Sequence, residues 1–177
     1  MTLEFIEYSP GLKSDLIQIL TGSRWEFHSK PVSTAEGIEK NLTTDYFFGE
    51  TARTFLIKEN GSTIGYIRIF DLEDDGNPLF DIRIAEAHRG KGIGKEAVKW
   101  ITGFIFTNYP SKNRLEATTR CDNFRMRKVL EACGYQKESH YRQAWPDEHG
   151  KLYDCTGYSI LKEEWKTGIT IQVNFQE

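Results

Sequence analysis

Residues 89–95 read Arg89-Gly90-Lys91-Gly92-Ile93-Gly94-Lys95 and join a predicted strand to a predicted amphipathic helix. Glycines in this segment let a ligand approach the backbone without meeting a Cβ atom. The first N–H groups of a helix have no partner within the helix and lie at its positive end, so they favour bound anions. Arg89 and Lys91 add positive charge. The segment therefore predicts a site for a phosphate or pyrophosphate group.

Two known phosphate-binding patterns differ from this segment. In a Walker A loop the Gly-Lys pair is followed by Ser or Thr, but here Gly94-Lys95 is followed by Glu96. The dinucleotide pattern G-x-G-x-x-G/A is matched by Gly92, Gly94 and Ala97. However, a dinucleotide-binding fold opens with this strand and loop, whereas several meander strands precede the loop here. A Rossmann-type oxidoreductase is therefore the less favoured interpretation.

The segments after residue 95 alternate between helix and strand. The apolar face of the first predicted helix consists of Ile93, Ala97, Trp100, Ile101, Phe104 and Ile105. The second predicted helix ends at a C-cap glycine, Gly134, and buries Met126, Val129, Leu130 and Cys133. A strand over 114–118 lies between the two helices, and strands over 135–144 and 152–161 form a closing hairpin.

The segments before residue 89 predict a meander with two helices inserted after its first strand. A strand over 2–8 precedes Pro10-Gly11 and a stretch of helical periodicity. A capping box at Ser33-Thr34-Ala35-Glu36 predicts a second short helix that runs to about Leu42. Asn60-Gly61 is a strong hairpin signal between strands over 54–58 and 62–70, and a strand over 79–84 follows.

This order predicts a single α/β (α+β) domain over 1–165. We expect a mixed, mostly antiparallel sheet of about seven strands flanked by about four helices. In the tail, 166–177, apolar residues alternate with polar ones. The alternating residues, which predict an added edge strand or a dimer contact, are Ile169, Ile171, Val173 and Phe175.

Composition excludes several classes of protein. The chain has 177 residues, 38% of them apolar, and a mean hydropathy of −0.54. We expect no membrane-spanning segment, and the acidic start of the chain does not resemble a signal peptide, so a cytoplasmic location is expected. The three cysteines lack C-x-x-C spacing and predict reduced thiols. The four histidines lack metal-ligand spacing, so we predict no metal site.

Charge is unevenly distributed along the chain. Residues 89–137 carry eleven lysines and arginines against four acidic residues, although the whole chain has a net charge of −3. A basic part beside an acidic part suits an anionic ligand that meets a cationic one. Two solvated faces of opposite charge would give the same pattern. No long basic run occurs, so we expect no nucleic-acid binding.

The pattern Arg-x-x-Gly-x-Gly after a fourth strand, with two helices after the first strand, resembles motif A of the GNAT superfamily of acetyl-CoA-dependent N-acetyltransferases. The resemblance extends through 119–123, the helix end at 131–135, and 158–165. Within that superfamily, the sequence is similar to the branch of the ribosomal-protein (Rim-type) N-acetyltransferases. It covers roughly residues 1–165 and leaves the tail outside.

The resemblance implies acetyl-CoA as cosubstrate and assigns contacts to it. Backbone amides of the glycine-rich segment would hold the pyrophosphate, the main chain of the strand before it would pair with pantetheine, and an amide there would stabilise the oxyanion. Asn123 would bind pantetheine, and Arg127 would reach phosphate or adenine unless it is a solvated surface residue. The expected cofactor contacts are Ile82, Arg83, Ile84, Arg89, Gly90, Lys91, Gly92, Ile93, Gly94, Lys95, Asn123 and Arg127.

The proton donor and the base follow less directly from the resemblance. Leu130 stands where many family members have a tyrosine that protonates the thiolate, and Met126 stands where others have a serine. The substitute donor is expected to be water or Tyr141, unless Tyr141 is a buried structural residue. The base is expected to be Asp81 or Glu26, although Asp81 shares a strand face with Arg83 and the role of its ion-pair partner is the favoured one.

The acceptor site is expected between the first two helices and at the last hairpin. Its aromatic and acidic residues suit a cationic amine through charge and cation–π contact, although a hydrophobic plug between helices would look similar. The expected acceptor contacts are Trp25, Glu26, His28, Trp145 and Asp154. We therefore predict direct acetyl transfer, in a ternary complex, to a primary amine such as a protein N-terminus or a small cationic amine. A non-enzymatic acyl-CoA-binding module is the alternative, and the chain is expected to be a monomer or a homodimer.

Overall fold

The structure, a computed structural model, describes residues 2–73 and 76–172. Its strands are β1 (Leu3–Glu7), β2 (Arg53–Glu59), β3 (Ser62–Phe70), β4 (Leu79–Ile84), β5 (Arg114–Arg120), β6 (Gln136–Pro146) and β7 (Leu152–Leu161). Its α-helices are α1 (Lys13–Thr21), α2 (Ala35–Leu42), α3 (Ile93–Asn108), α4 (Phe124–Ala132) and α5 (Lys162–Thr167). One-turn 3₁₀ helices occupy Pro10–Leu12 and Glu86–His88. In the described residues no helix is both long and apolar enough to cross a lipid bilayer.

The strands form one seven-stranded sheet in the order β1-β2-β3-β4-β5-β7-β6. All neighbouring pairs are antiparallel except β4 and β5, which run parallel. β4 and β5 pair only at Leu79 and Glu116, at the start of β4. Beyond that point the two strands have no further register pair. The centre of the sheet therefore opens between β4 and β5.

Helices cover both faces of the sheet because its strands alternate between two apolar clusters. In β2, Phe55 and Ile57 belong to a cluster with α3 and α4, whereas Leu56 belongs to a cluster with α1 and α2. β4 departs from this pattern. Its Phe80, Ile82 and Ile84 join the α3–α4 cluster, but polar residues take the other face. β4 thus places Asp81 and Arg83 on the face where β2 contributes the apolar Leu56, and Arg68 of β3 stands opposite Asp81 there.

The predicted fold class and element order are confirmed, with three differences. Thr34, not Ser33, is the N-cap of α2, and its Oγ1 accepts from Gly37 N at 3.1 Å. A fifth α-helix, α5, crosses the expected boundary at residue 165 and is held by Glu164, which accepts from Leu161 N and Ile171 N. Residues 168–172 of the tail form no strand, and the predicted strand positions Val173 and Phe175 lie outside the described residues.

Candidate active site

The turn between β4 and α3 exposes a row of backbone amides. Gly90 and Gly92 have φ of 77° and 83°, and a Cβ added at either position would meet no atom within 4 Å. Gly92 is the N-cap of α3 and provides no side chain to cap it. Among the described residues, the N–H groups of 90–94 find no hydrogen-bond acceptor. Such a row of free amides at a helix N-terminus, with open space in front of it, fits an anionic group such as a pyrophosphate.

The Arg89 side chain connects this turn to neighbouring segments through hydrogen bonds. Its Nε donates to Ile84 O at 2.9 Å and its Nη2 donates to Arg24 O at 3.3 Å. Its guanidinium also lies 5.4 Å from the ring centre of Trp25. Lys91 and Lys95 are exposed at the turn. Arg89 therefore adds positive charge behind the turn while its donors tie the end of β4 to the segment after α1.

The opening between β4 and β5 leaves main-chain groups of β4 unpaired. Arg83 pairs with Tyr66 of β3, and Ala85 N donates to Ile64 O at 2.9 Å. Because hydrogen bonding alternates along a strand, the N–H groups of Ile82 and Ile84 face β5. No register pair with β5 reaches them. β4 therefore has an open strand edge, and this edge leads to the amides of the glycine turn.

The opposite face of β4 carries a buried row of charged groups. Asp81 Oδ1 lies 3.0 Å from His28 Nε2, and its Oδ2 accepts from Arg83 Nε at 3.0 Å. Burial alone would raise the pKa of Asp81, but the charge of Arg83 and the hydrogen bond from His28 outweigh it and hold the pKa well below its usual range. Asp81 is thus the ion-pair partner of Arg83, and its low basicity does not favour the role of general base.

His28 belongs to a loop that bridges the opening in the sheet. The same loop contacts the end of β5, where Arg120 Nη1 donates to Glu26 O at 3.2 Å and the Arg120 guanidinium lies 5.3 Å from the Phe27 ring. Trp25 is buried, with its indole N–H donated to Leu20 O at 2.9 Å. The Trp25 side chain is therefore packed in the interior, while the side chain of Glu26 is exposed.

The start of α4 uses its two predicted cofactor residues in internal contacts. Asn123 caps α4, with Oδ1 accepting from Met126 N at 3.2 Å and Nδ2 donating to Thr119 Oγ1 at 3.1 Å. Arg127 donates to Cys121 O at 2.9 Å and to the Tyr158 hydroxyl at 3.3 Å. Each side chain keeps one further donor hydrogen or more for a ligand.

The last hairpin contains the remaining predicted residues. Tyr141 is 52% exposed on β6. Asp154 on β7 accepts from Gln143 N at 2.8 Å and lies 2.7 Å from His140 Nε2. These bonds fix an irregularity in the β6–β7 register, so Asp154 is engaged within the hairpin. The indole nitrogen of Trp145 is buried without a partner among the described residues.

Two histidine contacts were missed in the sequence. His28 meets Asp81, 53 residues away, and His140 Nδ1 lies 3.8 Å from Cys121 Sγ. Neither pair shows a local spacing motif, because each contact arises only when separate loops meet across the sheet. No signal in a single sequence would have revealed them.

The chain is similar in sequence to known acetyltransferases. Residues 13–136 match the family described as acetyltransferase (GNAT) domain. Uncharacterized N-acetyltransferase p20 of Bacillus licheniformis is 31% identical over 114 residues, which are 63% of this chain and 62% of that protein. The match thus spans less than two thirds of that relative's length. The prophage-derived uncharacterized N-acetyltransferase YokL of Bacillus subtilis is 24% identical over 132 residues, 74% of this chain and 71% of that protein.

Solved structures share the fold at low sequence identity. Spermidine N-acetyltransferase from Vibrio cholerae, solved with CoA and spermine, superposes with a TM-score of 0.77 at 18% identity over 93% of this chain and 98% of that one. RimL, a ribosomal L7/L12 alpha-N-protein acetyltransferase solved with CoA, gives a TM-score of 0.78 at 17% identity over 91% and 94%. At these identities the likeness concerns the fold.

Proposed function

The chain belongs to the acetyltransferase (GNAT) domain family, and on that premise we propose that it transfers an acetyl group from acetyl-CoA directly to a primary amine. One observation carries this proposal: the free amides of 90–94 adjoin the unpaired edge of β4. In CoA a pyrophosphate is joined to a peptide-like arm, so the free amides and the open strand edge match two neighbouring parts of one ligand. A site for an isolated phosphate would not require the open strand.

Acetyl-CoA, when bound, supplies an acetyl group activated as a thioester. The protein binds it with the amides of the glycine turn and with the free N–H groups of Ile82 and Ile84. One of these strand amides also stabilises the negative charge that develops on the thioester oxygen. Asn123 and Arg127 contribute their remaining donors to the same cosubstrate. No side chain of the protein is acylated in this scheme.

His28 is the group that we assign to remove a proton from the acceptor amine. The carboxylate of Asp81 accepts from Nε2–H, which leaves the lone pair on Nδ1, and Nδ1 is buried without a partner among the described residues. Imidazole is the side chain most often used for proton transfer near neutral pH. Asp81 is then a positioning residue that fixes the tautomer of His28. Tyr141 or water protonates the departing thiolate.

An acyl-CoA-binding module without turnover is the second candidate. It is favoured by Leu130, which is fully buried, and by Met126, which packs against the same apolar cluster. Both side chains serve the core at positions where family members carry proton donors. The binding module requires the same glycine turn and open strand but no His28.

Thiol release from acetyl-CoA, measured with a panel of primary amines, separates the two candidates. We expect release above the amine-free background with at least one acceptor, together with CoA binding measured by calorimetry. CoA binding with no release from any amine would favour the binding module. No CoA binding would contradict the assignment of the glycine turn.

The role of His28 is tested by the variant H28Q. We expect a loss of about 100-fold in kcat at neutral pH, no change in the Kd for CoA, and partial recovery at high pH, where the amine is already deprotonated. His149, which is exposed on the β6–β7 turn, provides the matched control H149Q. An unchanged pH profile in H28Q would exclude His28 as the base.

A further inference from the structure

A cavity of about 380 Å³ lies on the α1–α2 side of β4. It extends between α2, the segment before α2 and the sheet. Its polar lining includes Lys30, Lys40, Tyr46, Tyr66 and Arg83. This volume falls in the range of sites for small molecules. The cavity lies next to the site proposed for acetyl transfer. Arg83 lines the cavity, and the residue before it, Ile82, has its amide in the opening between β4 and β5.

The lining of this cavity is positively charged. Lys30, Lys40 and Arg83 contribute to it, and none of the described residues that line it is acidic. Neither lysine forms an ion pair with any residue in 2–73 or 76–172. On α2, Glu39 forms an ion pair with Lys13 at 2.7 Å, and neither Glu39 nor Glu36 lines the cavity. The cavity therefore has an uncompensated positive charge.

Arg83 is held in a position to bind an anion. Its Nε is engaged by Asp81, but its two terminal nitrogens donate to no acceptor within the described residues. Its guanidinium lies 5.6 Å from the ring of Trp25 and 5.9 Å from the ring of Tyr66. The side chain is only 12% exposed. A fixed guanidinium with two free donors is suited to bidentate binding of a carboxylate or a phosphate.

We propose that the acceptor amine carries an anionic group, a carboxylate or a phosphate, which Arg83 binds in this cavity with the help of Lys30 and Lys40. The proposal rests on the proposed acetyl transfer and names the class of its acceptor. Arg83 and His28 bond to the two oxygens of one carboxylate, Asp81, so an acceptor anchored on Arg83 lies one side chain away from His28. This acceptor differs from the cationic amine expected from the sequence, because the acidic residues counted there are paired or lie outside the cavity.

The test compares acceptors that differ only in the anionic group. Alanine, leucine and phenylalanine are each compared with their carboxamides, O-phosphoethanolamine with ethanolamine, and spermidine represents a polycation. The carboxamides have less basic amines, so these three pairs are biased against the proposal. We expect kcat/KM to be at least about 30-fold higher for the acceptor with the carboxylate or the phosphate than for its neutral partner. Comparing the amino-acid pairs with the phosphoethanolamine pair shows which anion is preferred.

The variants R83Q and K40E test whether the preference for anionic acceptors arises in this cavity. We expect R83Q to abolish the preference through KM, with the KM for acetyl-CoA unchanged. K40E, at an exposed site, should reduce the preference several-fold even if R83Q does not fold. K166E, an exposed lysine on α5 away from the cavity, is the matched control. Higher kcat/KM for the neutral partners or spermidine, or an equal loss for all acceptors in R83Q, would overturn the proposal.

Calorimetry with the same acceptors in the presence of CoA covers the case in which no acceptor is turned over. Selective binding of the anionic partner, lost in R83Q, would support the anion site while contradicting the proposed transfer. Absence of both turnover and selective binding would overturn both.

Discussion

At the scale of single residues, Asp81 shows how β4 tolerates a buried charge. The carboxylate is 17% exposed and has a donor on each oxygen, Arg83 on one and His28 on the other. An unpaired carboxylate at such a depth would be strongly destabilising. The paired group instead contributes to stability and fixes two side chains that we assign to the acceptor site.

Replacing Asp81 is therefore expected to destabilise the protein in a pH-dependent way. A lowered pKa in the folded state means that the ionised form stabilises the fold above the ordinary carboxyl range, and that this contribution is lost as pH falls below it. We expect D81N to lower the free energy of unfolding by about 2–4 kcal/mol at pH 7, and by less below about pH 4. Urea denaturation at several pH values measures both. D45N, at an exposed aspartate, is the control, and an equal deficit at pH 7 and pH 3 would contradict the expectation.

A substitution at Gly92 tests whether the glycine turn binds CoA. A valine there would strain a backbone with φ of 83° and fill the space in front of the free amides. We expect the Kd of CoA to rise about tenfold or more in G92V, because a loss of only ~1.4 kcal/mol has that effect. Gly61, with φ of 79° and equally open surroundings, gives the control G61V with the same backbone strain in the β2–β3 hairpin. Equal affinities of G92V and G61V for CoA would refute the assignment.

At the scale of elements, the opening between β4 and β5 makes a prediction about backbone protection. The N–H groups of Ile82 and Ile84 face the opening without a partner, whereas that of Arg83 is paired with β3. In the free protein we expect the amides of Ile82 and Ile84 to exchange rapidly and that of Arg83 to exchange slowly. CoA should protect the first two and leave Arg83 unchanged. Residue-resolved hydrogen exchange by NMR measures this, and early protection of Ile82 without CoA would show that the strand edge is closed.

The order of the elements was predictable because each depends on short-range pattern. Asn60-Gly61 forms its hairpin with φ of 50° and 79°, as a type I′ turn requires. The N-cap of α2 differed by one residue because Ser33 and Thr34 are both good caps. Helix α5 was missed because its stability depends on Glu164 meeting Ile171 and Gln136, contacts absent from any periodicity. The glycine turn was predicted from its own residues, whereas the cavity around Arg83 depends on segments distant in sequence.

At the scale of the whole molecule, β4 separates two chemically different regions. Its apolar side chains and free amides lie with α3 and the glycine turn, where basic residues are concentrated. Its charged side chains lie with the loop after α1. A cosubstrate bound in the opening and an acceptor bound in the cavity would therefore occupy the protein together, on either side of one strand. This arrangement favours direct transfer between bound reactants.

Cys121 offers the main competing route, transfer through an acylated thiol. It lies 3.8 Å from His140 Nδ1, and His140 is in turn 2.7 Å from Asp154, an arrangement that can activate a cysteine. Direct transfer predicts intersecting lines in initial-rate kinetics with acetyl-CoA and the acceptor varied, and near-normal kcat in C121S. A covalent route predicts parallel lines and a loss of about 10⁴-fold or more, as for other nucleophile deletions. C133S, at a second partly exposed thiol, controls for the general effect of losing a cysteine. Because the two routes differ in both readouts, parallel lines together with an inactive C121S would replace direct transfer with an acyl-enzyme mechanism.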